Sequence, residues 1–228
     1  MKLLPTVIVP NFVSDSELEA ILHIIQEQGK IVNYTAGDIN SNSDQTIVSI
    51  TTTVIGHQID PINDIIGPKL KAIFGKETIF QELWLLDEYH PLGIHTDAHQ
   101  LVPDNDHSLL YYTMLIPLED LNSYTIITNQ YHEVDYSSPG AEVHLIDYCK
   151  DKKLLPKEER ITEEFWKTNL PHTPALVRPF FSLDQVFKWN KGSLLAFDRR
   201  RWHASDNFLA SGITKKSAIV SFTFVNHP

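Results

Sequence analysis

Residues 192–208 read GSLLAFDRRRWHASDNF, and the fold that we predict depends on this stretch. The run Ser193–Phe197 is short and apolar, which is typical of a buried strand. Asp198 and Arg199 then indicate a turn, and His203 follows directly on the next predicted strand. The stretch therefore predicts two short strands joined by a tight turn, with an imidazole on the second strand.

The rest of the chain extends this β pattern and adds helices before it. A capping box of Ser14 and Glu17 begins a helix that ends at Gly29, and a second helix runs from Asp60 to Gly75, where Gly67-Pro68 is expected to break or kink it. Helices followed by many short strands predict a mainly β fold with flanking α, in which a helix layer packs on an antiparallel sandwich or barrel. The predicted strands are Ile47–Ile55, Phe80–Tyr89, Leu109–Leu118, Tyr124–Asn129, Ser193–Phe197 and Ser217–Val225.

Composition narrows the class of protein. The chain has 228 residues, of which 42% are hydrophobic and 21% charged, so we expect one domain over residues 1–228. The formal net charge of −10 argues against a nucleic-acid partner. No stretch reaches the roughly 18 consecutive apolar residues of a membrane span. The lone Cys149 fits a reducing, cytoplasmic location.

The segment from about residue 131 to residue 190 differs from the rest, because it is rich in proline and aromatic residues and interrupts the strands. We expect an insertion, with a short helix around Glu158–Lys167. Its aromatic side chains can pack on the sandwich, form a lid over an active site, or do both.

The sequence His95-Thr96-Asp97 is a candidate for metal binding. About one His-x-Asp triplet is expected by chance in a chain with this many histidines, so the triplet alone carries little weight. Here it follows a strong strand and a turn, and residues two apart on an extended segment point to the same side. An imidazole and a carboxylate would then converge on one point, with His203 as a third ligand.

Lys216 is expected to point into the interior. On the last strand it shares a face with Ala218 and Val220, whereas the other face carries mostly hydroxyl side chains. A buried ammonium needs an anionic partner. The sequence offers no obvious partner within the protein, which favours an anionic ligand.

The pattern of His95-x-Asp97, a distant His203 and the basic Lys216 on the next strand resembles the iron(II)/2-oxoglutarate-dependent dioxygenases, and among them the prolyl-hydroxylase-like branch. The opening strand and helix, from Val7 to Ser14, are also similar. The resemblance implies a double-stranded β-helix (jelly-roll) barrel packed against the N-terminal helices. It also implies that the triad binds Fe(II), that 2-oxoglutarate and O2 are co-substrates, and that Lys216 binds the distal carboxylate of 2-oxoglutarate.

One departure from the family pattern concerns the co-substrate. Ala218 stands where relatives often have serine, so a second hydrogen-bond donor must come from elsewhere. Tyr89 resembles the tyrosine that precedes the metal strand in relatives, and Tyr112 and Thr128 are weaker candidates. The intact Asp97 favours hydroxylation, because related halogenases lack this carboxylate.

The oxidised substrate is less constrained. Arg201 shares a face with His203 if the strand is continuous, and could then bind a substrate carboxylate or phosphate. We expect hydroxylation of a small amino-acid-like or carboxylated metabolite. The alternatives are a prolyl-type hydroxylase that acts on a peptide, a non-catalytic jelly-roll binding module, and a cupin-type iron enzyme without 2-oxoglutarate.

Overall fold

The structure is a computed structural model, and it describes most of the chain. The described residues are 3–37, 46–75, 78–97, 110–132, 145–150 and 152–225.

These residues form ten strands and four α-helices, with short 3-10 turns between some of them. The helices are α1 (Asp15–Gln28), α2 (Asp60–Phe74), α3 (Leu145–Lys150) and α4 (Glu163–Asn169). The strands are β1 (Val7–Val9), β2 (Lys30–Gly37), β3 (Thr46–Ile55), β4 (Thr78–Glu88), β5 (Leu110–Pro117), β6 (Tyr124–Tyr131), β7 (Leu183–Lys188), β8 (Leu194–Asp198), β9 (Arg201–Ser205) and β10 (Lys216–Val225).

The strands form two antiparallel sheets. The large sheet has the order β1-β8-β5-β10-β4-β3-β2, and the small sheet has the order β7-β6-β9. The long strand β10 lies inside the large sheet and pairs with β4 on one side and β5 on the other. The prediction of a mainly β fold with flanking helices is therefore confirmed, whereas the pattern did not identify β2 and β7.

The two N-terminal helices begin where the sequence predicts. The Ser14 hydroxyl accepts a hydrogen bond from the Glu17 backbone at 3.3 Å, and the Glu17 carboxylate accepts one from the Ser14 backbone at 2.7 Å, which completes the capping box. The expected break in α2 is wrong, because the helix continues through Gly67-Pro68. Burial of Ile62, Ile66 and Leu70 on one face of α2 offsets the backbone hydrogen bond that a proline removes.

Alternation of side chains along the strands creates three apolar layers. Helices α1 and α2 cover the outer face of the large sheet, where Leu194, Ala196 and Ile219 are buried. The opposite faces of the same strands, with Leu195, Phe197 and Ala218, pack against Ile127 and Phe187 of the small sheet. The interior between the two sheets is therefore lined by the residues that alternate with the helix-facing ones.

The segment around residues 131–190 contributes to both sides of the small sheet. Strand β7 lies inside this segment and pairs with β6. Trp166 and Phe181 pack with Trp202 and Ala204 on the outer face of the small sheet. Residues 133–144 lie outside the described residues. Among the described helices, none has the length and apolar character needed to cross a membrane.

The backbone at Gly192, just before β8, lies close to the backbone of Val13. Its φ is +70°, and a Cβ atom there would lie 2.5 Å from the carbonyl oxygen of Val13. Gly212 has a similar φ of +78°, but a Cβ atom there would meet no other atom within 4 Å. We expect Gly192→Ala to lower the free energy of unfolding by at least about 2 kcal/mol, and Gly212→Ala by about 1 kcal/mol.

Urea denaturation of both variants measures this difference. Equal losses of stability would mean that the contact with Val13 relaxes without strain, contrary to the expectation.

Candidate metal centre

Backbone pairing brings the two predicted histidines together. The His95 backbone N–H donates to the His203 carbonyl at 3.0 Å, and the His203 N–H donates to the His95 carbonyl at 2.9 Å. The Ser205 N–H donates to Leu92 and the Asp97 N–H donates to Arg199, both at 3.1 Å. The chain from Leu92 to Asp97 thus runs beside β9 as a further extended segment, and paired residues project to the same face.

Both imidazoles present the same nitrogen to the centre. The Nδ1 atom of His95 lies 2.8 Å from the Gly93 carbonyl oxygen, and Nδ1 of His203 lies 3.1 Å from the Arg201 carbonyl oxygen. A carbonyl can only accept, so each Nδ1 carries the proton and each Nε2 keeps its lone pair. Ligation of a metal through Nε2, with Nδ1 held by a backbone carbonyl, is a common arrangement in proteins.

Asp97 completes the group. Its Oδ1 lies 4.0 Å from Nε2 of His95, and its Oδ2 lies 3.5 Å from Nε2 of His203. One potential ligand atom from each of the three residues lies within 4.8 Å of the others. The three residues predicted as a triad are therefore adjacent, and Asp97 and His203 are buried.

The electrostatics of the centre suit a divalent metal. Burial and the neighbouring His95 lower the pKa of His203 to about 4, against the opposing effect of Asp97, so this imidazole is neutral at pH 7. Burial raises the pKa of Asp97, but the imidazoles, the Thr113 hydroxyl and the Arg199 guanidinium more than offset this and hold it below its usual range. Two imidazoles and one carboxylate are a ligand set for iron(II) that leaves one side of an octahedral ion open.

Thr113 is a part of the centre that sequence reasoning missed. Its hydroxyl donates a 2.7 Å hydrogen bond to Oδ2 of Asp97, and its side chain is buried on β5. Thr113 is paired with Phe197 across the large sheet, on the face toward the small sheet. The bond links β5 to the segment after β4, and no local sequence pattern reports such a long-range pairing.

Lys216 faces inward as predicted from the alternation on β10, and it is completely buried. The expectation that the protein offers it no anionic partner is wrong. Its Nζ lies 3.7 Å from Oε2 of Glu88 and 3.8 Å from Oδ1 of Asp206. Glu88 shares a face of β4 with Leu86, so its inward direction could have been inferred from the pattern, whereas Asp206 lies beyond the end of β9 and gave no such signal.

The described contacts of the candidates for a second donor to the co-substrate are with residues other than Lys216. The Tyr89 hydroxyl donates a 3.5 Å hydrogen bond to Asp87, which lies on the opposite face of β4 from Glu88. Tyr112 packs toward the helix layer, where its ring centroid is 4.8 Å from that of Phe74. The Thr128 hydroxyl donates to the Trp202 carbonyl at 2.9 Å. These described contacts bring none of the three to the triad.

The three consecutive arginines at positions 199–201, at the end of the turn and the start of β9, are all buried. A turn at Arg199-Arg200 separates the strands, so Arg199 is not on the same strand as His203, but Arg201 is, and it points to the same face. The Arg201 guanidinium donates to the Thr128 carbonyl at 3.1 Å and lies 3.4 Å from the Asp184 carboxylate. Its Nε is buried without a hydrogen-bond partner among the described residues.

Comparison with known proteins shows the fold. Neither a family model nor a curated protein matches the sequence. The epimerase SnoN from nogalamycin biosynthesis, solved with Fe3+, alpha ketoglutarate and nogalamycin RO, is 12% identical with a TM-score of 0.54, over 98% of this chain and 81% of its own. The alpha ketoglutarate dependent carbocyclase SnoK is 14% identical with a TM-score of 0.51, over 96% and 79%.

A third solved structure, an oxidoreductase of the 2OG-Fe(II) oxygenase family from Burkholderia pseudomallei, is 12% identical with a TM-score of 0.52, over 97% of this chain and 85% of its own. At these identities the likeness is one of fold. It covers nearly the whole chain, including both sheets and the helices.

Replacement of Thr113 tests its role at Asp97. We expect Thr113→Val to weaken metal binding by about 10-fold or more, because the carboxylate loses the bond that orients it. Thr113→Ser keeps the hydroxyl and should retain most of the affinity. Competition against a chromophoric chelator measures the affinity, and the visible spectrum of the Co(II)-loaded protein reports the coordination geometry. Equal affinities of the valine and serine variants would show that the hydroxyl does not orient Asp97.

Proposed function

We propose that the chain is an Fe(II)- and 2-oxoglutarate-dependent dioxygenase that hydroxylates a small amino-acid-like or carboxylated metabolite. The observation that carries the proposal is the convergence of His95, Asp97 and His203 on the inner side of a small sheet, within a fold shared with solved oxygenases of this chemistry. A ligand set of this kind leaves coordination positions for a bidentate co-substrate and O2.

Two of the finer expectations about the fold belong to this proposal. The segment of residues 92–97 beside β9 adds a fourth extended chain to the small sheet, facing four central strands of the large sheet, which supports a double-stranded β-helix formed by one domain. The insertion or lid predicted at about residues 131–190 then belongs to this domain. The prolyl-hydroxylase-like branch stays a prediction from the sequence.

The protein would hold the reacting groups as follows. His95, Asp97 and His203 bind the ferrous ion, and Thr113 orients Asp97. With 2-oxoglutarate and O2 bound, such an ion supplies the oxidising chemistry that hydroxylates a C–H bond and releases succinate and CO2. Lys216 is the candidate for the distal carboxylate of 2-oxoglutarate, with Tyr89 as the predicted second donor. A reducing cytoplasm, indicated by the lone buried Cys149, would favour the ferrous state.

Anaerobic titration tests the reaction class. Addition of Fe(II) and 2-oxoglutarate should produce a visible metal-to-ligand charge-transfer band, and oxygen should then yield succinate. His203→Ala should abolish both signals, because it removes a metal ligand. His23→Ala, which changes an exposed histidine on α1, is the matched control and should retain them. Absence of the band and of succinate in the unaltered protein would refute the oxygenase.

Measurement of succinate release also tests the class of substrate. Arg201 supports a carboxylated small molecule, since it lies on the face of β9 that carries His203 and has a buried Nε available among the described residues. We expect carboxylated metabolites and amino acids to stimulate succinate release more than prolyl peptides do. Arg201→Met should raise the KM for an active compound by about 10-fold or more while leaving 2-oxoglutarate binding unchanged.

Stimulation by prolyl peptides alone would instead favour the peptide hydroxylase. Tight binding of a ligand without succinate release, from a protein that holds iron, would favour the non-catalytic binding module.

A further inference from the structure

Lys216 lies at the centre of a buried group of charges that we call the lysine cluster, formed by Lys216, Glu88 and Asp206. Lys216 begins β10 and is directly opposite Glu88, which ends β4. Asp206 follows the last residue of β9 and approaches the same ammonium from the small sheet. The side chains of the three residues are 0%, 4% and 7% exposed, so water screens their charges poorly.

Each carboxylate of the cluster is also held by a second donor. The Leu92 backbone N–H donates to Glu88 at 3.0 Å, and the Ser123 hydroxyl donates to Asp206 at 2.6 Å. The hydrogen bond from Ser123 favours the ionised form of Asp206.

The other neighbours of the Lys216 ammonium bring no second positive charge. Its Nζ lies 4.1 Å from the ring centroid of Trp189 and 5.1 Å from that of Phe208, and it donates weakly to the Tyr124 carbonyl at 3.4 Å. Among the described residues, His172 is a further titratable group near the cluster, because the charges of Glu88 and Asp206 act on its pKa. Burial lowers the pKa of His172, so it is neutral near pH 7. Burial lowers the pKa of Lys216, against the opposing effects of Glu88 and Asp206. With Lys216 protonated and both carboxylates ionised, the cluster carries one net negative charge.

This charge affects how the cluster can receive a dicarboxylate. If Lys216 binds the distal carboxylate of 2-oxoglutarate, three carboxylates would surround one ammonium in a buried site, which is strongly unfavourable. A proton on one of the protein carboxyls removes the excess charge. Asp206 is the better acceptor, because burial raises its pKa and the charge of Glu88 acts in the same direction, against the opposing effects of Ser123 and Lys216.

We propose that binding of 2-oxoglutarate displaces Asp206 from Lys216 and that the Asp206 carboxylate takes up one proton from solvent as it is displaced. Asp206 and Glu88 then act as internal competitors for Lys216. They weaken the affinity for the co-substrate and make it tighter as the pH falls. The inference rests on the proposed function, and specifically on Lys216 as the residue that receives the distal carboxylate.

Calorimetric titration of the anaerobic Fe(II)-loaded protein with 2-oxoglutarate tests the inference. The titration is repeated in two buffers with different ionisation enthalpies, at pH values between about 6.5 and 8.5, and the difference in heat counts the protons exchanged. We expect uptake of about one proton per 2-oxoglutarate where Asp206 is ionised, and a Kd that rises by up to about 10-fold per pH unit.

Substitutions distinguish the contributions of Asp206 and Glu88 to the affinity and to the proton uptake. Asp206→Asn keeps an acceptor for the Ser123 hydroxyl but removes the charge, so it should tighten 2-oxoglutarate binding by about 10-fold at the upper pH values and abolish the proton uptake. Glu88→Gln should act in the same direction and serves if the first variant folds poorly. Asp15→Asn is the matched control, because Asp15 is exposed on α1 and pairs with Lys191. It should leave the Kd and the proton count unchanged.

The outcomes distinguish this inference from the proposed function. If the unaltered protein does not bind 2-oxoglutarate at any pH, the proposed function fails and the inference fails with it. If the unaltered protein binds without proton uptake, and Asp206→Asn does not bind more tightly, only the inference is overturned. The lysine cluster would then be a structural link between β4, β10 and the end of β9.

Discussion

The paired backbone hydrogen bonds between His95 and His203 are the constraint on which the rest of the candidate centre depends. They join a short extended segment after β4 to a strand more distant in sequence. The antiparallel geometry makes both imidazoles project to one face, and the two-residue period of the extended chain adds Asp97 to that face. The bonds from Ser205 to Leu92 and from Asp97 to Arg199 join the same two segments on either side of this pair, with a shifted register.

The opposite face of the small sheet stabilises this arrangement. Trp202 and Ala204 alternate with His203 along β9, and they are buried under aromatic side chains of the segment between β6 and β7, including Trp166 and Phe181. Burial of so many large side chains holds the backbone of β9 in place. The strand that carries a candidate ligand on one side is thus anchored by apolar packing on the other, which is how a scaffold pre-organises a site.

Buried charges are balanced by ion pairs, and several of these pairs connect separate strands. Arg200 binds Asp198, which also accepts a hydrogen bond from the Leu4 backbone, and Arg201 lies against Asp184. Lys216 has two carboxylates, one from each sheet. Removal of one partner would leave an uncompensated buried charge, which is far more unfavourable than the loss of an exposed ion pair. The charged residues therefore help to fix how the two sheets pack against each other.

Local pattern in the sequence determined the two N-terminal helices, most of the strands and the inward direction of Lys216, because periodicity reports directly which side of an element is buried. The His-x-Asp triplet and His203 were recognisable because, together with Lys216 on the following strand, they resemble a known family pattern. Only the tertiary structure decided that Glu88 and Asp206 reach Lys216, that Thr113 reaches Asp97, and that Tyr112 faces the helix layer. These contacts join strands far apart in the chain, and their register depends on the packing of both sheets, which no local pattern encodes.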